Sequence, residues 1–219
     1  MGLSARDGGK AFGRGEASRL ASYTSPMKMD DSARRQELLA SAARLFRDVG
    51  YPRATVRDIA KAVGMQSGSI FYYFKTKEDI LLEVMETAMR AFVLAGQRAL
   101  EQAKTPREKL RLLFAGHLEA LHGTRDETAV VLSEWRNLAP KSRRRMVKLR
   151  DQVDSMWDEA LHEAVAAGMV QGDVRLLRLA MLGSLNWSLQ WYSPKGGLSI
   201  QDLADRFVDF YVDVGPAKR

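Results

Sequence analysis

Residues 55–77 read TVRDIAKAVGMQSGSIFYYFKTK. Thr55 with Asp58 three residues on has the form of a capping box. The hydroxyl can accept from an early backbone N–H, and the carboxylate favours the positive end of a helix. Val56, Ile59, Ala60 and Val63 share one face at helical spacing. Gly64 stops that helix, because a left-handed residue costs glycine least. Ser67 opens a second short helix whose Ile70 and Phe74 point back at the first. Its other face carries Gln66, Ser67, Ser69, Tyr72 and Tyr73, and Lys75 and Lys77 follow. Two short helices joined at a glycine, the second bearing hydroxyls, an amide and lysines, make a helix-turn-helix suited to a major groove. Short polar side chains reach base edges there, while lysines and tyrosines hold phosphates.

At Thr55, Ile59, Ala60, Gly64, Ser67, Gly68, Ser69, Tyr73, Phe74 and Lys77 this stretch resembles the TetR family of transcriptional regulators. The resemblance implies an all-α protein in which a three-helix DNA-binding unit precedes a larger helical domain for ligand binding and dimerisation. Together with the pattern above, it puts the DNA contacts on Thr55, Gln66, Ser67, Gly68, Ser69, Tyr72, Tyr73, Lys75 and Lys77. Phe71 stands where the family usually has a tyrosine. It has no hydroxyl for a phosphate, so no contact is carried onto it. The alternative is a buried aromatic cluster in a helical protein of another function, but core packing does not require Gly64, Gly68 or the serines.

The charge agrees with the motif. Residues 1–78 hold 14 Lys and Arg against 8 Asp and Glu, a net of +6, whereas the rest of the chain holds 20 against 19. Such an asymmetry is the footprint of phosphate neutralisation, with a solvated basic face as the other reading. The absence of cysteine excludes disulfides and thiolate metal sites and fits a reducing, cytoplasmic setting. No apolar run is long enough to span a membrane, and the basic N-terminus lacks the apolar core of a secretory signal.

Three regions are expected. Residues 1–30, rich in Gly, Ser, Ala and Arg, read as a disordered extension, either a floppy tail or a basic arm for a minor groove. Residues 31–78 form the DNA-binding unit. Its first helix runs from Asp31 to Gly50, with Arg34 and Arg35 as phosphate contacts or solvated charge. Residues 79–219 form the ligand-binding and dimerisation domain. Thr76 and Asp79 cap a helix running to about Gln102, and Thr105-Pro106 with Glu108 starts the next. A shorter helix spans about 126–138, Pro140 breaks it, and a long one follows from Ser142 to Ala167. Residues 173–191 are apolar around most of their circumference, which implies burial on several sides. Ser199 with Asp202 caps a final helix, about 199–212. A two-fold contact of these last two helices would cover both and give a homodimer that reads a near-palindrome.

The stretch from Leu185 to Ser199, with Asn186-Trp187 and Trp191-Tyr192, resembles TetR-type regulators of fatty-acid, aromatic-acid or sterol-ring degradation. That resemblance implies release from DNA by an acyl-CoA thioester, long-chain or aromatic. Gln190 replaces an arginine found in some relatives, so no charge contact is carried there. A thioester needs an apolar tunnel and cations. Phe92, Phe114, Leu118, Trp135, Trp157, Met181 and Trp187 are candidates to line the tunnel, though apolar residues at helical spacing also serve as plain core. Arg178 and Asn186 could hold the polar part, and Arg143, Arg144 and Arg145 could meet phosphates or stay solvated. His117 lies on an apolar face, as a ligand contact or a core histidine. It is five residues from His122, a spacing that does not make a metal pair, and no metal or other cofactor is expected. An acyl-CoA-acting enzyme finds no cysteine, nucleophile elbow or phosphate-cradling glycine loop here. The remaining alternatives are a repressor answering another hydrophobic or aromatic ligand, and a protein that coats DNA without sequence preference.

Overall fold

The computed structural model describes residues 30–212, so the extension expected over residues 1–30 lies outside them except for Asp30. Among the described residues there are nine α-helices, one 3-10 turn and no strand. The first three, α1 (Asp31–Val49), α2 (Val56–Ala62) and α3 (Ser67–Tyr73), form a head. A long α4 (Lys77–Gln102) leads out of it into α5 (Pro106–Gly123), α6 (Arg125–Ser133), the 3-10 turn Trp135–Asn137, α7 (Pro140–Ala166), α8 (Val174–Trp191) and α9 (Ile200–Val212).

The helix starts follow local chemistry. Thr55 Oγ1 accepts from the Asp58 N–H at 3.1 Å, and the Asp58 carboxylate accepts from the Thr55 N–H, also at 3.1 Å. Thr76 and Asp79 repeat the arrangement at α4, and Ser199 Oγ accepts from the Asp202 N–H at 3.0 Å before α9. Each such cap stabilises its helix by about 1 kcal/mol. Gly64 sits at φ +63°, the left-handed value that turns α2 into α3.

Two boundaries depart from the expected ones. Pro140 opens α7 instead of ending the helix before it, because the first helical position needs no N–H donor. The preceding helix stops earlier, at Ser133, and Glu134 is the reason. This residue is buried, its carboxylate taking the Asn137 side-chain amide at 2.6 Å and the Tyr51 backbone N–H at 3.2 Å. It thereby ties the head to the larger domain.

The head closes over Leu38, Phe46, Ile59 and Ile70, all fully buried, with Phe74 nearly so. Burying side chains of this size is worth roughly 1.5–3 kcal/mol each. α4 is the spine of the molecule. Ile80, Leu81, Val84, Met85 and Ala88 are fully buried along it, and it packs on α1, α5, α6 and α7. By contrast α8 buries only part of its apolar surface: Leu176, Leu179, Trp187 and Trp191 are exposed on it, as is Phe210 on α9.

Candidate DNA-reading head and effector cleft

α3 presents Gln66, Gly68, Ser69, Phe71 and Tyr72 outward, with Ser67 and Tyr73 half-buried and Lys75 exposed just beyond. Gln66 is the residue before the first turn and makes no cap bond of its own, leaving its amide available. The rings of Tyr72 and Tyr73 meet edge to face at 5.0 Å, and both hydroxyls donate to Asp31, at 3.3 and 3.0 Å. That bond holds the Tyr73 phenol protonated beyond its ordinary range. Both hydroxyls expected to meet phosphates are thus held by the first residue of α1.

Other expected contacts are engaged inside the protein. The Thr55 hydroxyl belongs to the α2 cap. Lys77 Nζ donates to the carbonyls of Tyr51 and Ala54 at 2.8 and 2.9 Å and lies 4.1 Å from the centre of the Tyr51 ring. It is a clamp between α4 and the α1–α2 loop, not a free cation. Arg34 donates to the Val63 carbonyl and pairs with Glu37, and Arg35 pairs with Glu83. Both act as internal ties, invisible in sequence because their partners lie up to 48 positions away.

On the other side of α4 opens a cleft of about 900 Å³, within the range of ligand sites. Met89 and Phe92 of α4, His117 of α5, and Thr128, Val131 and Leu132 of α6 form one side, with Trp135 beyond. Arg150, Val153 and Asp154 of α7 and six residues of α8, among them Arg175, Arg178, Leu182 and Asn186, form the other. Of the expected residues, Phe92, His117, Trp135, Arg178 and Asn186 meet here. Phe114, Leu118 and Met181 do not: they are fully buried core, Phe114 lying edge-on to Trp157 at 5.1 Å. Trp157 reaches only a small void of about 10 Å³ behind the cleft. Trp187 is 66% exposed and does not border the cleft. A helix that is apolar all round does not reveal which of its faces meets the cleft.

The cleft is polar at two places. Deep inside, His117 Nε2 lies 3.2 Å from Asn186 Oδ1, beneath the Phe92 ring at 4.6 Å. Burial pushes the imidazole down to about 4, so it is neutral at pH 7 and its Nε2–H donates to the amide oxygen. Nearer the rim, Arg178 pairs with Asp158 and lies 3.7 Å from Asp154, while Arg150 sits 6.0 Å from the Trp135 ring centre and reaches Asp154 at 4.0 Å. Burial raises the Asp154 carboxyl. Arg150 and Arg175 could not be singled out from sequence, since nothing local separates them from solvated arginines. The run Arg143–Arg145 lies apart from the cleft. Arg143 donates to the carbonyls of Arg136 and Leu138, and Arg145 pairs with the buried Glu86 at 2.8 Å. Among the described residues no His, Asp and Glu cluster could hold a metal, and no helix is long and apolar enough to cross a membrane.

Two family models match the chain. "Bacterial regulatory proteins, tetR family" matches residues 38–84, and "Tetracyclin repressor-like, C-terminal domain" matches residues 103–214. The HTH-type transcriptional repressor KstR2 of Mycolicibacterium smegmatis is 32% identical over 180 residues, 81% of this chain and 88% of that protein. The fatty acid metabolism regulator protein of Bacillus subtilis is 28% identical over 152 residues, 68% and 78% of the two chains. Among solved structures, the superantigen PfiT superposes with a TM-score of 0.69 at 37% identity, covering 85% of this chain and all of that one.

Proposed function

The chain belongs to the TetR family of bacterial regulatory proteins, DNA-binding transcriptional repressors and not enzymes, and on that premise we propose that it is a homodimer released from its operator by an acyl-CoA thioester. The observation carrying the proposal is that the cleft and the reading head share one helix. Met89 and Phe92 wall the cleft, and the same α4 begins at the Lys77 clamp and holds Arg35 through Glu83. A ligand seated against Phe92 favours one tilt of α4 over another, and the heads follow. Release is then a population shift toward a spacing that no longer fits successive major grooves.

The exposed Leu176, Trp187, Trp191 and Phe210 on the last two helices support a dimer face, since apolar side chains grouped in this way mark protein interfaces. The apolar walls suit an acyl group, the rim arginines suit phosphates, and the name of the Bacillus relative points the same way. An operator-bound protein works in the cytoplasm. A second reading, a hydrophobic or aromatic effector without CoA, is favoured by one fact. Arg178 is already held by Asp154 and Asp158, which leaves few free cations for three phosphates.

The test is operator DNA bound by the purified protein and titrated with palmitoyl-CoA, benzoyl-CoA and free CoA. Release by a thioester but not by free CoA is expected. Sequence-specific binding indifferent to all thioesters would remove the effector assignment, and binding indifferent to DNA sequence would remove the operator.

A further inference from the structure

We propose that Met156 is a movable plug over Gly96 and that the pair sets how long an apolar tail the effector cleft accepts. The inference rests on the effector reading above.

Gly96 is buried on α4, and the methionine tail lies across it. A Cβ built on Gly96 would stand 2.6 Å from Met156 Cε and 2.8 Å from Sδ. The glycine is thus a notch that the thioether occupies. Beside it is the enclosed void of about 10 Å³, which shares Phe92, His117 and Val153 with the cleft. Along the same two helices, α4 and α7, runs an outer groove of about 650 Å³, and Met156 is the one residue that the void and the groove have in common. Three spaces therefore follow one another, and a single unbranched side chain separates the second from the third.

The wall around the notch is otherwise stiff. Trp157 is fixed against Phe114, Phe92 against His117, and both rings are buried. Methionine differs in having three rotatable bonds and a soft, polarisable sulfur that packs acceptably in many positions. Turning it toward the groove empties the notch and extends the cleft between α4 and α7. The vacated volume is that of the thioether tail and holds about three or four methylenes at interior packing density. A tail of that length comes to rest against α4 itself. Occupancy of the notch then adds to the tilt of the helix that carries the head, so long tails release DNA more effectively than short ones.

The experiment is a series of saturated acyl-CoA thioesters from eight to eighteen carbons, scored for affinity and for operator release by the wild type, Met156→Ala and Gly96→Val. Met156→Ala opens the notch permanently and should raise affinity for the longest tails at least several-fold. Gly96→Val fills the notch and should lose the longest tails by tenfold or more while still binding operator and the shortest thioester. Operator binding and binding of the shortest thioester, retained by both variants, show that each is folded. If both variants keep the wild-type length profile, Met156 and Gly96 do not set tail length, although the effector reading survives. If the wild type binds no thioester of any length, the effector reading fails and the plug fails with it.

Discussion

The guanidinium of Arg35, on the first helix of the head, takes both carboxylate oxygens of Glu83 on α4. The same guanidinium lies 4.8 Å from the centre of the Phe74 ring, at the end of the reading helix. One side chain therefore links α1, α3 and α4, and in the proposed switch it is the tie that would carry a rotation of α4 to the head. Glu83→Gln is expected to cost only about 1 kcal/mol of stability, since the pair is partly exposed. Its larger effect should be on coupling, with operator affinity nearly unchanged and effector-driven release weakened. Paired release curves for wild type and variant check this.

Lys77 and Tyr73 separate structural from DNA-facing roles. Lys77→Ala removes a charged donor from two carbonyls and should lower stability by about 2 kcal/mol, with DNA binding lost as the head loosens. Tyr73→Phe should leave the melting temperature nearly unchanged and weaken binding to operator and random DNA alike. Ser69→Ala, exposed on the reading helix, should instead change which sequences are preferred. Thermal melts beside binding to operator, mutated operator and random DNA distinguish the three.

Trp187→Ala should act on assembly. The ring is exposed and outside the cleft, so thioester affinity per protomer is expected to persist. The proposed dimer should dissociate about tenfold more readily, as loss of a tryptophan from an interface commonly costs 1 kcal/mol or more. Sedimentation over a concentration series reads the first effect, and calorimetric titration with the effector reads the second.

His117 supplies a pH dependence of known sign. Its folded value lies near 4, below the ordinary 6.5, so the unfolded chain binds the proton more readily. The stability held by the neutral ring is complete above about pH 6.5 and is lost as the pH falls toward 4, a loss of about 3 kcal/mol. Denaturant unfolding between pH 4 and pH 7 should show this slope in the wild type and a shallower one in His117→Asn.

What could be read in advance follows the range of each interaction. The caps at Thr55, Thr76, Thr105 and Ser199 join residues three apart, and all are present. The end of α4 at Gln102 agrees with its periodicity. The end of α6 departs from its expected place because Glu134 answers to Tyr51, 83 residues earlier. The start of α7 departs because Pro140 serves as a first helical residue and not as a break. The cleft was half legible. Phe92, His117, Trp135, Arg178 and Asn186 border the cleft, while Phe114, Leu118 and Met181 belong to the core and Trp187 to the outside. Apolar periodicity marks a buried or covered face without saying whether protein, ligand or a second subunit covers it. Lys77 looked like a phosphate contact for a similar reason, since its carbonyl partners come from a loop 23 and 26 residues away.

The central claim is that a ligand in the cleft resets the spacing of two heads through α4. Because the chain has no cysteine, Gln36→Cys, exposed on α1, provides one spin label per protomer, and pulsed electron resonance measures the distance between them. With operator DNA the heads should show a single narrow distance, their reading helices one turn of DNA apart at roughly 34–36 Å. Adding the thioester that releases DNA should move that distance by several ångströms. An unchanged distance in the presence of a releasing ligand would contradict the account.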